Sequence, residues 1–315
     1  TIIDEKVLAD NQNNYLVTIV DTSDGTGLAY VDISTGELYT TTFEMHAVSA
    51  LIDEIARLNP AECLVYEGMS RDLVDSIDKI QKSSNFIVTS LQNKPSYEQA
   101  YQLLSKQFKQ LFQGNEFLKG YPAAILAVGS LLQYLQETQK IVLGHLAQVK
   151  FYRVSGYMII DQQTRRNLEL TTNLRTQERY GSLLYILDNT LTAMGGRKLK
   201  QWIEQPLLDI EEINGRLDAV EELVGKLFLR AELKKHLKGI YDFERILAKI
   251  AYNTVNARDL LALKQSLAAL EPIKGCLLTA NSSGIKFLVK RMELFPELVC
   301  LLEAALKPEP PLSVK

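Results

Sequence analysis

Residues 15–43, "YLVTIVDTSDGTGLAYVDISTGELYTTTF", decide the fold class of the front of this 315-residue chain. Three β-branched or aromatic runs stand in it: "YLVTIVD" (15–21), "GLAYVDIS" (27–34) and "GELYTTTF" (36–43). "TSDGT" and the short "STG" separate them, and both are turn formers because Gly, Asp and Ser satisfy or relax the backbone locally. Connections this short force neighbouring strands to run antiparallel, so the stretch reads as a meander.

Downstream the pattern alternates. "HAVSALIDEIARLNP" places Val48, Leu51, Ile52, Ile55 and Leu58 at helical spacing and stops at Pro60. "ECLVYE" reads as a buried strand, "SRDLVDSIDKIQK" as a helix capped by Ser70, and "NFIVTSL" as a further strand. The order β-β-β-α-β-α-β implies an α/β layer with a mixed sheet. From Ser96 the signal turns helical, with Tyr97, Tyr101, Leu104, Phe108 and Leu111 on one stripe and Gln99, Gln102, Lys106 and Lys109 toward solvent. "YPAAILAVGSLLQYLQETQK" (121–140) is apolar nearly all round until Gln133, which predicts a buried helix. After a short strand at "QVKFYRV" the second half is helical. "DIEEINGRLDAVEELVG" is its clearest element, with Ile210, Ile213, Leu217, Val220 and Val224 on one face, Asp209 as cap and Gly225 as stop. Two domains follow, 1–143 and 144–315. The proline-broken tail "KPEPPLSVK" reads as a linker or an edge of a longer protein.

Composition narrows the function. The chain is 46% hydrophobic and 23% charged, the balance of an ordinary globular protein. No apolar run approaches the ~18 residues of a membrane span, and the N-terminus has no signal-peptide pattern. Three scattered cysteines, Cys63, Cys276 and Cys300, fit a reducing, cytoplasmic compartment. Neither they nor the three equally scattered histidines offer metal-ligand spacing. Residues 1–143 carry 10 Lys/Arg against 18 Asp/Glu, and the remainder 25 against 20. An acidic front is a poor polyanion surface, and the mildly basic rear mixes its charges.

Few motifs carry chemistry. "DNTLTAMGGRKLKQWIEQP" (188–206) has two glycines before a basic run, yet a phosphate loop needs spaced glycines and a Ser or Thr after the lysine. Gly195 and Gly196 instead read as a close helix approach, with Met194, Leu199, Trp202 and Ile203 packing inward. In "DQQTRRNLEL" (161–170) the adjacent Arg165 and Arg166 could grip a phosphate or a carboxylate, yet Asp161 reads as a helix cap and Arg165 as the intrahelical partner of Glu169. Glu212 and Arg216 have the same spacing. Asp21, Asp32 and Glu67, on or beside strands, are the one set of carboxylates that a metal-dependent nuclease would use. No catalytic, metal or ATP-binding set stands out beyond them.

"TRRNLEL" followed by "TAMGGRKLKQWIEQPL", within "YMIIDQQTRRNLELT" and "GSLLYILDNTLTAMGGRKLKQWIEQPLLDIEEINGRLDAVEEL", closely resembles the core domain of the MutS family of DNA mismatch repair proteins. "LLQYLQETQK" (131–140) resembles the end of the preceding connector domain, so the resemblance covers essentially the whole chain. It implies a ribonuclease-H-like connector followed by the first part of an all-α core. It further implies a parent that clamps mismatched double-stranded DNA as a homodimer, uses ATP and Mg, and recruits MutL partly through the connector. The segment itself would transmit conformational change without chemistry of its own. The only Phe-x-Glu, Phe295-Pro296-Glu297, sits too late to be the family's mismatch probe, and no P-loop is present. On this resemblance Arg165, Arg166, Gly195, Gly196, Arg197 and Trp202 become candidate articulation residues, and Gln99 and Gln102 candidate MutL contacts. A metal nuclease or a stand-alone adaptor on the same fold is the alternative.

Overall fold

The computed structural model describes residues 13–84, 86–108, 120–139, 144, 146 and 148–310. They divide into two compact units. The first runs to residue 155 and takes in 159–170 and 174–176; the second holds 156–158, 171–173 and the chain from 177.

A six-stranded mixed sheet organises the first unit. β1 (Tyr15–Thr22), β2 (Gly25–Asp32) and β3 (Glu37–Phe43) form the antiparallel meander, with Tyr15 opposite Asp32 and Thr26 opposite Phe43. The first turn is tighter than its sequence suggests, because both strands continue to Thr22 and Gly25. α1 (Val48–Leu58) returns the chain to β4 (Glu62–Tyr66), parallel to β1, and α2 (Arg71–Ser84) leads on to β5 (Ile87–Leu91), parallel to β4. α3 (Tyr97–Gln107) and α4 (Pro122–Gln139) follow, and β6 (Val149–Phe151) then pairs with β3. The order β5-β4-β1-β2-β3-β6 is a ribonuclease-H-like sheet with one added strand. β6 lies beyond residue 143, so the sheet draws on chain from both sides of the expected domain boundary. The short α5 (Gln162–Asn167) closes the unit beside α1.

β1 and β2 are apolar on both faces because each face is covered. Leu51, Ile55, Leu73 and Ile77 of α1 and α2 pack on Val17, Ile19, Leu28 and Tyr30 from one side. α4 covers β1 and β2, burying Ala124, Ile125, Ala127, Val128, Leu131, Leu132 and Leu135, as its nearly uniform apolar sequence predicts. Two glycines set how closely it sits. A Cβ on Gly27 of β2 would lie 2.0 Å from the Ala123 carbonyl oxygen. A Cβ on Gly129 of α4 would lie 2.4 Å from the Ala100 Cβ and 2.7 Å from its Cα on α3. Lys109 and Leu111, assigned to the faces of α3 by their spacing, lie outside the described residues.

The second unit is helical: α6 (Leu183–Leu187), α7 (Ala193–Glu204), α8 (Ile210–Gly225), α9 (Leu227–Leu237), α10 (Phe243–Ala251), α11 (Ala257–Leu277), α12 (Ser283–Arg291) and α13 (Pro296–Ala305). Its apolar packing includes two separate small clusters. Ile246, Leu263, Leu267 and Leu302 join α10, α11 and α13, while Ala280, Ile285 and Val289 meet Ala219 and Leu223 of α8. Asp209 caps α8 as expected, accepting from the Glu212 N–H. The stripe on α8 is not covered, however: Ile210, Leu217, Val220 and Val224 are all more than half exposed.

Candidate functional site

Charged side chains buried inside the first unit form the feature that sequence spacing missed. Glu54 and Arg57, one turn apart on α1, face inward. Arg57 Nε and Nη2 donate to the two Glu54 oxygens at 2.9 and 2.6 Å, and the Tyr152 hydroxyl donates to Glu54 Oε1 at 2.6 Å. Tyr152 meets Tyr30 and Tyr39 edge-on, so the pair is walled by aromatic rings. Burial alone would raise the Glu54 pKa; the Arg57 charge and hydrogen bonds, the Tyr152 hydroxyl and the Arg165 charge outweigh it and hold the carboxylate below its ordinary value. Buried charges survive when paired in this way.

Arg165 belongs to this cluster. Its charge acts on both Glu54 and Asp53, and the Gln162 N–H at the start of α5 donates to Asp53 at 3.4 Å. Burial pushes the Asp53 pKa up against these two influences. The pairing expected with Glu169 is corrected: α5 ends at Asn167, and Glu169 stands beyond it in left-handed backbone (φ 48°), accepting from the Leu174 N–H. Asp161 does cap α5, accepting from Thr164 N–H at 2.7 Å. Arg166 points to solvent.

In the second unit the Gly195–Gly196 reading also changes. The space beside Gly195 is filled by its own N-cap turn, since an added Cβ would meet Thr192 Oγ1 at 2.9 Å and Thr190 Cβ at 3.5 Å. Thr192 caps α7 by accepting from the Gly195 N–H, and Gly196 is buried in that first turn. A close helix approach exists elsewhere: a Cβ on Gly284 of α12 would lie 3.1 Å from the Gly215 carbonyl oxygen on α8. Arg197 is 6% exposed and bidentate on Asp242, at 2.7 and 2.8 Å, with a third bond of 2.6 Å to Glu244. Desolvation would lower its pKa, and these carboxylates raise it further than burial lowers it. Because Asp242 also caps α10, this arginine ties α7 to the start of α10. Trp202 does not pack inward. It is 41% exposed, and the Arg216 guanidinium sits 4.0 Å from its ring, the contact Arg216 makes in place of a simple helix-face pair.

Gln99 and Gln102 stand on the outer face of α3, where α3 and α4 border a groove of about 510 Å³. Gln99 is partly committed, for its Oε1 accepts from the Ser96 N–H while Ser96 Oγ accepts from the Gln99 N–H. That capping box is legible as Ser96-x-x-Gln99. Gln102 is exposed, with Gln133, Gln136 and Glu137 across the groove, half-buried Leu103 in its wall and Lys106 beside it. The groove is therefore amide-rich and nearly neutral, although the front half as a whole is acidic. Amides supply both donors and acceptors, which suits a polar protein surface better than an anion or a metal.

Of the strand carboxylates, Asp21 and Asp32 do not converge. Asp32 is buried, accepting from Asn13, the Asn14 N–H and Ser34. Asp21 accepts from Thr26 at the other end of the β1–β2 hairpin. About six residues of strand separate these positions, ~20 Å at the usual rise. Among the described residues no group of three or more His, Cys, Asp or Glu side chains could hold a metal ion, and no helix is long and apolar enough to cross a membrane.

These arrangements define a protein of two units, one α/β and one helical, in which buried charged side chains join elements within each unit. Comparison with known proteins gives the family. The model of MutS domain II matches residues 14–147 and that of MutS domain III matches residues 163–315. The whole chain is 41% identical to the DNA mismatch repair protein MutS of Halothermothrix orenii and 43% identical to that of Pelotomaculum thermopropionicum, covering 35% and 36% of their lengths. The MutS of Alkaliphilus oremlandii is 41% identical over the same whole chain. The chain belongs to the MutS family, and it spans about a third of the length of the curated relatives it matches.

Proposed function

We propose that the chain is the connector and the first part of the core of a cytoplasmic mismatch repair protein, and that it relays conformational change between the parts of that protein. The supporting observation is the succession of two separate units, matched in order by MutS domains II and III. In this reading the whole protein binds mismatched double-stranded DNA as a homodimer and hydrolyses ATP with Mg in a domain outside the matched length. The segment contributes stiffness and a docking surface. Arg165 holds α5 to the acidic pair on α1, and Arg197 holds α7 to α10, so movement at either point must exchange one paired arrangement for another. Gly195 and Gly196 let the first turn of α7 close on its cap, Trp202 is braced by Arg216, and Arg166 remains available at the surface. These are the articulation residues of the proposal.

MutL is assigned to the α3–α4 groove. Gln102 is the central contact; Gln99 contributes less, because its amide oxygen serves the cap. Full-length protein carrying Gln102→Lys should bind mismatched DNA as the parent does and lose ATP-dependent recruitment of MutL. Undiminished recruitment would remove the groove from the interface.

A further inference from the structure

Among the described residues the sheet ends at β5, and the middle of that edge is open. Residues 83–93, "SSNFIVTSLQN", contain no charged residue and no proline. Edge strands ordinarily carry a lysine, a proline or a bulge that stops another strand from adding to them. Among the described residues no strand pairs with the outer side of β5.

The ladder fixes which groups face outward. Ile87 N–H donates to the Ala61 carbonyl and the Leu91 carbonyl accepts from the Glu67 N–H. In a parallel ladder one residue directs both its N–H and its C=O to the same neighbour. Ile87, Thr89 and Leu91 are therefore spent on β4, while Val88 and Ser90 present N–H and C=O to the outside. The Phe86 carbonyl, also outward, is already taken by Gln81 Nε2 at 3.2 Å. Ile87 is 65% exposed beside this edge.

We propose that the outer edge of β5 pairs with β5 of a second copy of this chain, antiparallel about a two-fold axis through Thr89. The strand is complementary to itself in this register. Val88 faces Ser90 of the partner subunit and Ser90 faces the partner's Val88, an arrangement that exchanges backbone hydrogen bonds at both positions. The same register sets the exposed Ile87 opposite Leu91 of the partner subunit, covering the apolar side chain that the single copy leaves in water. A charged edge would place like charges across the axis, and this edge has none. Thr89 meets its own copy as a non-hydrogen-bonded pair, with Cα atoms ~4.5 Å apart. A pairing this short buries less than a standard interface, so the association is weak and concentration-dependent. It concerns a surface separate from the α3–α4 groove and does not depend on the MutL assignment.

The test combines sedimentation with cross-linking of this chain. The parent should show a concentration-dependent dimer. Ser90→Pro, which deletes an outward N–H and leaves every β4 bond in place, should abolish it, while Ser90→Ala should retain it; circular dichroism checks that both fold. In a Cys276→Ser, Cys300→Ser background the buried Cys63 can stay, since burial pushes its thiol up to about 12. There Thr89→Cys should oxidise to a covalent dimer, because the separation across the axis suits a disulfide. Ile87→Cys should link to Leu91→Cys when the two variants are mixed, and not to itself. A chain that stays monomeric at high concentration overturns the proposal. So does a dimer indifferent to Ser90→Pro, or a Thr89→Cys variant that links no faster than Lys238→Cys on an unrelated surface.

Discussion

Gly129→Ala adds one methyl group where α4 crosses α3. In an isolated helix this exchange is favourable by ~1 kcal/mol, because alanine loses less backbone freedom than glycine. Here the new Cβ would stand 2.4 Å from the Ala100 Cβ and 2.7 Å from its Cα, where carbon atoms rest at ~3.5–4.0 Å. The obstacle includes backbone, so no rotamer relieves it. α4 cannot retreat the other way, since the Ala123 carbonyl already occupies the place of a side chain at Gly27. α3 must therefore shift outward by ~1 Å, enough to loosen its packing on α4. Overpacking of this kind costs ~1–3 kcal/mol, and a backbone obstacle places it near the top. After the helix-propensity gain the net loss is ~2 kcal/mol. Urea unfolding followed by hydrogen exchange across residues 97–107 should read this loss directly. The single tryptophan, Trp202, lies in the second unit and reports its unfolding separately. Adding Ala100→Gly should restore only part of the stability, because the α3 backbone itself still stands too close to the new methyl group. A Gly129→Ala protein as stable as the parent would refute the reasoning, for it would mean that α3 yields without cost.

Other expectations follow from the ion pairs. Arg197→Lys keeps the charge but not the bidentate fork, and Arg197→Ala leaves Asp242 and Glu244 facing a cavity; the alanine variant should lose ~3–5 kcal/mol in chemical denaturation, the lysine variant less. Glu54→Gln strands Arg57 in the aromatic pocket and should cost a comparable ~3–5 kcal/mol, whereas the joint change Glu54→Leu with Arg57→Met should cost far less. Glu222 accepts from Lys226 and from the Asn281 and Ser282 N–H groups, which lower its pKa to about 2. Its carboxylate is therefore depressed on folding. The stability it contributes is complete above the ordinary glutamate pKa of ~4.3 and is lost as pH falls from there toward ~2. Thermal melts of the parent and Glu222→Gln should then converge across that window. Trp202→Ala should lose ~0.5–1 kcal/mol of cation–π attraction beyond its packing, which a double-mutant cycle with Arg216→Ala separates.

What the sequence discloses depends on whether the cause of a feature is local. The β1–β2–β3 meander is written in runs of Val, Ile, Thr and Tyr between turn residues, and α4 in a run of apolar residues on every face. Asp161, Asp209 and Ser96 announce their caps because a cap needs only a few consecutive residues. Nothing in the local sequence marks Glu54 and Arg57 as a buried pair, since the Tyr152 hydroxyl that completes their site is remote in sequence. Spacing pairs Arg165 with Glu169, but the helix that would join them ends at Asn167. The adjacent glycines at 195–196 suggest a helix crossing, while the crossings lie at Gly129 and Gly284, each a lone glycine that propensity alone marks as a mild penalty. The α8 stripe is periodic and lies where its spacing puts it, yet periodicity identifies an apolar face without saying what covers it.

The position of β6 bears on how the chain is made. Phe43 ends β3 roughly a hundred residues before Val149 begins the strand that completes the sheet. At translation speeds of ~5–20 residues per second, β3 waits ~5–20 s with an unpaired edge. Over the same interval Glu54 and Arg57 have left the ribosome without the Tyr152 ring that seals them in. A nascent connector is thus an unfinished barrier to water around a charged pair, and its final closure is timed by residues that the sequence pattern assigns to the next domain.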